Sequence, residues 1–308
     1  MKNMLIITGP TATGKTDLAL SLAKKYQGEL IACDSRQVYK GLDIGSGKLP
    51  GKEARLEKHN GYWVVDGIKI HLYDIANPAE QFDLYQFLKV AKQVLLEMDK
   101  ETVPILVGGA GLYLDSLVSG LETTATDSTL RVELEKKSLL ELQSILQTKS
   151  AQLLESLNNS ERNNSRRLVR HIEKLTFGQP VSQSGIGNDY RYLKIGLTTS
   201  VERLNLRVDE RVDKRLKAGM VEEAQYLHGN GLSFERMRQL GLEYRCLADF
   251  LEEKMSYQDF VTTLKTKIHQ YAKRQLTWFK RDEEIHWFDI EDGHFSEDVD
   301  KLFIEWRS

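Results

Sequence analysis

Over the first third of the chain, short apolar runs alternate with segments of helical period. Met4 to Ile7 is uninterrupted apolar sequence and the run breaks at Gly9, which predicts a strand from Met4 to Thr8 that is buried on both faces. Asp17 to Tyr26 carries Leu18, Leu20, Leu22 and Ala23 in a helical pattern, and Leu30 to Cys33 predicts the second strand. "YWVV", "GIKIHLYDI" and "VPILVGGAGLYL" are each β-rich and bounded by turn residues, with an amphipathic helix, "FDLYQFLKVAKQVLLEMD", between the last two. This alternation predicts βαβ units: an α/β fold with a mostly parallel sheet and flanking helices.

From Glu122 the β pattern disappears. "LRVELEKKSLLELQSILQTKSAQLLESL" is helical, polar and charged, and predicts a small helical insertion lobe. The remainder is mostly helical, with strands expected at Tyr192 to Leu197 and around Ile285 to Asp289. The expected organisation is a core over residues 1–121, a lobe over 122–180, and the rest of the core with basic helices over 181–308.

Composition narrows the class. A chain of 308 residues, 41% apolar, forms one large domain or a domain with an insertion. Cys33 and Cys246 are too few for a disulfide framework or a four-ligand zinc site, which indicates a reducing compartment. The opening "MKNMLIITGP" is too short in apolar residues for a signal peptide, and nothing later approaches the roughly 18 needed to span a bilayer. A cytoplasmic protein is expected. The net charge of -2 selects no partner, whereas the distribution of charge does.

Gly9-Pro10-Thr11-Ala12-Thr13-Gly14-Lys15-Thr16 fits the phosphate-loop pattern between a strand and a helix. The glycines let backbone N–H groups converge on a phosphate, Lys15 supplies a point charge, and the Thr16 hydroxyl can ligate Mg²⁺. The pattern does not say what happens to the polyphosphate. After the second strand, "ACDSRQVYKG" places Asp34 where ligands bind, beyond the carboxyl ends of parallel strands. A carboxylate beside an anion is unfavourable unless Mg²⁺ or basic groups intervene, or unless it serves as a base. Small-molecule kinases of this fold carry an acid here too, and a turn-capping aspartate is the simpler alternative.

Arg203, Arg207, Arg211 and Arg215 recur every fourth residue, and a solvated face paired with Glu202, Asp209, Glu210 and Asp213 accounts for most of such a stripe. Arg162, Arg166, Arg170 and Lys174 form a second stripe, with Arg167 beside it and Leu168, Ile172 and Leu175 facing inward. It suits either nucleic-acid phosphates or plain solvation. Between Leu264 and Arg281 lie seven basic or imidazole side chains and no acid, interleaved with Tyr271, Trp278 and Phe279. Such a segment suits single-stranded RNA, although Trp278 and Phe279 are expected to bury against the sheet.

Taken in order, "GPTATGKT", "DSRQVYKGLDIG", "VPILVGGAGLYLDSLVSGL", "QYAKRQLTWFKR" and "HWFD" resemble the tRNA dimethylallyltransferases, of bacterial type, over nearly the full chain. The resemblance implies a P-loop NTPase-like fold and transfer of a dimethylallyl group from its diphosphate to N6 of the adenine next to the tRNA anticodon. It implies that Gly9, Thr11, Ala12, Thr13, Gly14, Lys15 and Thr16 bind the diphosphate, with Mg²⁺ on Thr16. Arg211 matches best the arginine that joins them, with Arg207 as the fallback. Asp34 would take the amine proton, so that Asp34, Thr16 and Arg211 form the catalytic set. Gln37 suits an adenine edge, Ser35 assists or holds the turn, and Tyr39 serves base contact or packing. Arg162, Arg166, Arg167, Arg170, Lys273, Arg274 and Gln275 would contact the tRNA anticodon stem-loop, with the target base flipped out.

The sequence departs from that pattern at Ala110, where threonine is usual, and at His269, where arginine is usual. The competing readings are a prenyltransferase acting on a free adenine nucleotide, a small-molecule kinase, and a non-catalytic RNA-binding protein. A monomer is expected because no spare apolar face is evident.

Overall fold

The computed structural model describes residues 2–50, 53–124, 128–177 and 180–307. The chain divides into two compact units, Met1–Val118 with Ile186–Ser308, and Ser119–Gly185. In the larger unit β1 (Lys2–Thr8), α1 (Lys15–Tyr26) and β2 (Gly28–Ala32) precede β3 (Leu56–His59), β4 (Gly61–Val65), β5 (Ile68–Tyr73), α2 (Leu84–Glu97), β6 (Val103–Val107) and α3 (Gly111–Ser119). The smaller unit holds β7 (Gly120–Thr124), α4 (Ser128–Glu135), α5 (Leu139–Lys149), α6 (Ala151–Ser156), α7 (Asn159–Arg162), α8 (Ser165–Phe177) and β8 (Pro180–Ser184). The larger unit resumes with β9 (Tyr190–Thr198), α9 (Val201–Lys217), α10 (Met220–Gly229), α11 (Phe234–Gln239), α12 (Leu242–Leu251), α13 (Tyr257–Phe279), β10 (Ile285–Asp289) and α14 (Phe295–Arg307).

The main sheet has the order β10-β9-β1-β6-β2-β5-β4-β3. It is parallel from β10 to β5 and antiparallel through β4 and β3. Met4 to Ile7 are buried at its centre because β1 has strands on both sides and helices over its faces. Leu18, Ala19 and Leu22 of α1 and Val299 and Phe303 of α14 share one core with Leu5, Ile7, Ile105 and Ile195 of the sheet. Because β1 and β2 flank β6, the loops after all three strands emerge at the same carboxyl edge, where ligands of open α/β sheets bind.

In the smaller unit Leu142, Leu146, Leu168 and Ile172 form the core. Glu173 is fully buried there, and its carboxylate accepts from Arg131 Nε and Nη2 (both 2.7 Å) and from Arg170 Nη1 (2.9 Å).

Several elements differ from expectation. β3 was hidden by its polarity, since an edge strand in an antiparallel ribbon buries little. β7 and β8 pair antiparallel within the unit that was expected to be helical. The expected long helical stretch is cut where the Ser138 and Ser150 side chains cap new helices. Only the first part of "VPILVGGAGLYL" is strand, and the rest opens α3. Leu175, expected to face inward, is exposed. No helix among the described residues is long and apolar enough to cross a membrane.

Candidate active site

The phosphate loop turns out of β1 at Gly9, whose φ of +129° and 2.3 Å clearance between an added Cβ and the Leu197 carbonyl oxygen exclude any side chain. Ala12 also has positive φ (66°), a costly conformation for a residue with a Cβ. It is held by Arg207 Nε, which donates to the Ala12 carbonyl (2.8 Å). Thr13 Oγ1 (2.9 Å) and Lys15 Nζ (2.6 Å) both donate to the Pro10 carbonyl. Gly14, also at positive φ (82°), starts α1.

Arg211 Nη1 donates to Thr11 Oγ1 (2.7 Å), and Arg215 Nη1 donates to the Gly45 carbonyl (3.1 Å). Three residues of the expected solvated stripe thus face the phosphate loop and the loop after β2, while Arg203 pairs with Glu291 (3.0 Å). Their expected partners are engaged elsewhere: Asp209 with His269 (2.8 Å) and Asp213 with Lys265 (2.8 Å), both on α13. The acids between the turns of the arginine stripe thus find their partners on α13 rather than on the stripe.

These cations are crowded and poorly solvated. Burial, and then the Arg211 charge, push Lys15 down to about 7, with Asp34 opposing. Burial and the Arg215 charge push Arg211 down to about 9, opposed by Glu243, Asp34 and Asp17. Arg215 is lowered by burial and opposed first by Glu243, which lies 3.8 Å away. A cluster of cations held below their ordinary affinity for protons is stabilised when an anion arrives. Thr11, Arg211, Arg215 and Glu243, with apolar Val208, Val212 and Ile268, line a cavity beside the loop.

Asp34 caps its own turn and keeps one carboxylate oxygen out of that cap. Its Oδ1 accepts from the backbone N–H of Arg36 (2.7 Å) and Gln37 (3.4 Å), a turn cap, while Oδ2 has no hydrogen-bond partner among the described residues. Its charge acts on Lys15, Arg211, Arg215, Tyr113 and Tyr271. Gln37 Nε2 donates to the Gly47 carbonyl (3.3 Å), and Ser35 is half-buried. Tyr39 resolves to packing: it is buried, and its hydroxyl accepts from Phe82 N (3.1 Å) and Arg236 Nη2 (3.3 Å).

Among the described residues no group of three His, Cys, Asp or Glu is arranged to hold a metal. The Thr16 hydroxyl, on the first turn of α1, makes no hydrogen bond to protein among them. One neutral oxygen beside a phosphate loop fits Mg²⁺, which keeps several waters and shares substrate phosphates rather than filling a protein cage.

Comparison with known proteins decides the family. The family model described as IPP transferase matches residues 37–282. The chain belongs to the IPP transferase family. It is 35% identical to the tRNA dimethylallyltransferase of Finegoldia magna, over 99% of this chain and 96% of that protein. It is 36% identical to the tRNA dimethylallyltransferase of Lachnoclostridium phytofermentans, over 95% and 93% of the two chains. Among solved structures, it resembles the full-length tRNA isopentenylpyrophosphate transferase of Bacillus halodurans, with a TM-score of 0.71, 29% identity, and 99% and 97% of the chains covered. The tRNA delta(2)-isopentenylpyrophosphate transferase of Staphylococcus epidermidis gives a TM-score of 0.68 at 31% identity, with 99% of both chains covered. The fold is the P-loop NTPase-like sheet that these structures share.

In this IPP transferase the residues expected on the RNA side fare differently. Lys273 and Arg274 are exposed on α13, with the Arg274 guanidinium 5.8 Å from the Tyr271 ring centre. Gln275 is corrected: it is buried, its Oε1 accepts from Thr11 N (2.9 Å), and its Nε2 donates to the Gly109 carbonyl (2.7 Å). Helical rotation places it on the inward face with Ile268, Ala272 and Phe279, so it braces the phosphate loop from behind. Trp278 is also corrected: it is 38% exposed, and its Nε1 donates to Asp115 (2.8 Å), whereas Phe279 is buried. In the smaller unit Arg166 is exposed, Arg167 lies 3.6 Å from Glu161, Arg162 donates to the Glu155 carbonyl, and Arg170 pairs with buried Glu173.

Sequence reasoning missed Arg215 as a site residue, though its four-residue spacing from Arg211 was the available signal. It also missed Lys48, which is buried with its Nζ on the Tyr39 carbonyl (2.6 Å), Asp43 (3.0 Å) and Asp74 (2.5 Å). A lone lysine in a polar stretch carries no such signal.

Proposed function

We propose that this chain is a tRNA dimethylallyltransferase that moves the dimethylallyl group of dimethylallyl diphosphate to N6 of the adenosine next to the tRNA anticodon, releasing diphosphate. The observation that carries this is the pairing of one acid with a nest of cations. Asp34 keeps a carboxylate oxygen without a partner among the described residues, and its charge acts on Lys15, Arg211 and Arg215. Prenyl transfer needs both groups. The N6 lone pair forms a bond to the allylic carbon, the carbon–oxygen bond breaks, and its electrons leave on diphosphate. Lys15, Arg211 and Arg215 would hold that developing charge. The N6 proton passes to Asp34, because an aryl amine is a poor nucleophile until its proton has an acceptor. Bound Mg²⁺, with Thr16 among its ligands, would add charge neutralisation on the leaving group.

Gly9, Thr11, Ala12, Thr13 and Gly14 shape the diphosphate site in this reading, and Ser35 and Gln37 border the adenine. Lys273 and Arg274 would meet the anticodon stem-loop, with Arg162, Arg166, Arg167 and Arg170 of the Ser119–Gly185 unit as further phosphate contacts. The enzyme would work as a cytoplasmic monomer.

The test is incubation of the protein with labelled dimethylallyl diphosphate and Mg²⁺ alongside unmodified tRNA, AMP or ATP. Label in tRNA only, lost in Asp34→Asn, is the expected result. Label in AMP indicates the nucleotide prenyltransferase, and ATP consumption without prenyl transfer indicates a kinase.

A further inference from the structure

The loop after β2 is gripped from behind by one carboxylate. Glu223, on α10, accepts from three successive backbone N–H groups with its two oxygens: Asp43 (2.8 Å) and Ile44 (2.7 Å) on Oε2, and Gly45 (3.0 Å) on Oε1. The Tyr244 hydroxyl of α12 adds a fourth donor to Oε1 (2.6 Å). Both oxygens are therefore shared among four donors, and no water or neutral amide supplies the same acceptor capacity.

The other side of that loop touches the cations of the site. Arg215 donates to the Gly45 carbonyl, Gln37 donates to the Gly47 carbonyl, and an added Cβ at Gly47 would lie 1.8 Å from Arg215 Nη2 and 2.4 Å from Arg211 Nη2. With φ at +75°, Gly47 is a backbone surface against which both guanidinium groups rest. Arg211 continues from there to Thr11 of the phosphate loop.

We infer that Glu223 is a positioning residue: it fixes the 43–47 loop as the back wall against which Arg211 and Arg215 are aligned toward the phosphate loop. This rests on the proposed diphosphate role of those arginines. Glu223 itself touches no reactant. It acts by denying two long side chains their alternative rotamers, so that they meet the anion already ordered.

The test measures binding of inorganic diphosphate with Mg²⁺ to the full-length protein by calorimetry, for wild type, Glu223→Gln, Arg215→Lys and the double variant. Glu223→Gln is expected to weaken diphosphate binding about tenfold, while tRNA binding stays within about twofold. Its loss should be less than additive with that of Arg215→Lys, because neighbours acting through one contact couple. Tyr244→Phe, which leaves the three backbone bonds, should cost less than about threefold. Diphosphate binding by Glu223→Gln within about twofold of wild type, or strictly additive losses, overturns the inference. Should Glu223→Gln fail to fold, Glu223→Asp, one methylene short of the loop amides, is put through the same cycle with the same criterion. Failure of the wild type to prenylate tRNA would remove the functional reading, and the diphosphate cycle would still report on Glu223.

Discussion

Arg211 and Thr11 are joined by a 2.7 Å hydrogen bond from Nη1 to Oγ1, so the long α9 helix reaches directly into the phosphate loop. That hydroxyl is the guanidinium's hydrogen-bond partner on the loop. In the proposed reaction the same guanidinium would bind the diphosphate oxygens. Arg211→Ala is expected to lower kcat/KM for the prenyl donor by about 10²–10³-fold, the usual cost of losing one preorganised charge-stabilising donor. Arg211→Lys should recover only part, since an ammonium lacks the planar fork. Steady-state kinetics with varied donor at saturating tRNA decide this, and an unchanged donor kcat/KM in Arg211→Ala would remove Arg211 from the site.

If Lys15 holds the donor's diphosphate as proposed, donor binding should depend on pH. In the free protein, burial and Arg211 hold it at about 7. A bound diphosphate favours the ammonium and raises that value, so binding between the two values takes up a proton. Affinity should therefore fall as pH rises above about 7, by at most about tenfold per unit. Calorimetry in buffers of different ionisation enthalpy should show proton uptake at pH 8 and much less at pH 6, and Lys15→Met should abolish the difference. Proton release on binding would contradict the assignment.

Asp34→Asn separates the turn cap seen at this carboxylate from the proton-acceptor role proposed for it. Asparagine Oδ1 can still accept from Arg36 N, so the turn survives, while the proton acceptor is gone. Single-turnover prenyl transfer should fall by about 10²–10⁴-fold. Diphosphate binding should hold or strengthen, because the cations lose a competing negative charge. A variant that loses diphosphate affinity in step with its rate would reduce Asp34 to a structural cap.

What the sequence could and could not reveal follows from how local each signal is. The phosphate loop and the parallel strands were legible, since their residues lie consecutively and their burial repeats with a fixed period. β10 was found at Ile285 to Asp289 for the same reason. β3 was not, because "LEKH" at a ribbon edge buries little and has no apolar code. Arg211 was half legible: the four-residue stripe was visible, but that Asp209 and Asp213 find their partners on α13, far away in sequence, was not. Glu223 and Gln275 were illegible as loop supports because their partners are backbone groups, which every residue carries.

Gln275, Lys273 and Arg274 are adjacent in sequence and should fail in different ways. Truncation by Gln275→Ala leaves the Thr11 N–H and Gly109 carbonyl without their partner, at a cost of about 1–3 kcal/mol for each group left unsatisfied in a buried setting. The phosphate loop then loses its brace, so the variant should melt earlier and bind the prenyl donor more weakly, with tRNA affinity little changed. Lys273→Ala and Arg274→Ala remove exposed charges from α13, so melting and donor binding should stay as in the wild type. Their tRNA affinity should drop, and the slope of log affinity against log salt should shrink by about one unit or less per phosphate contact removed. Filter binding of tRNA across a salt series, run beside calorimetry with the donor, reads both quantities. Weaker tRNA binding in Gln275→Ala with full donor affinity would return Gln275 to the RNA surface, and an unchanged salt slope in the other two would take α13 off it.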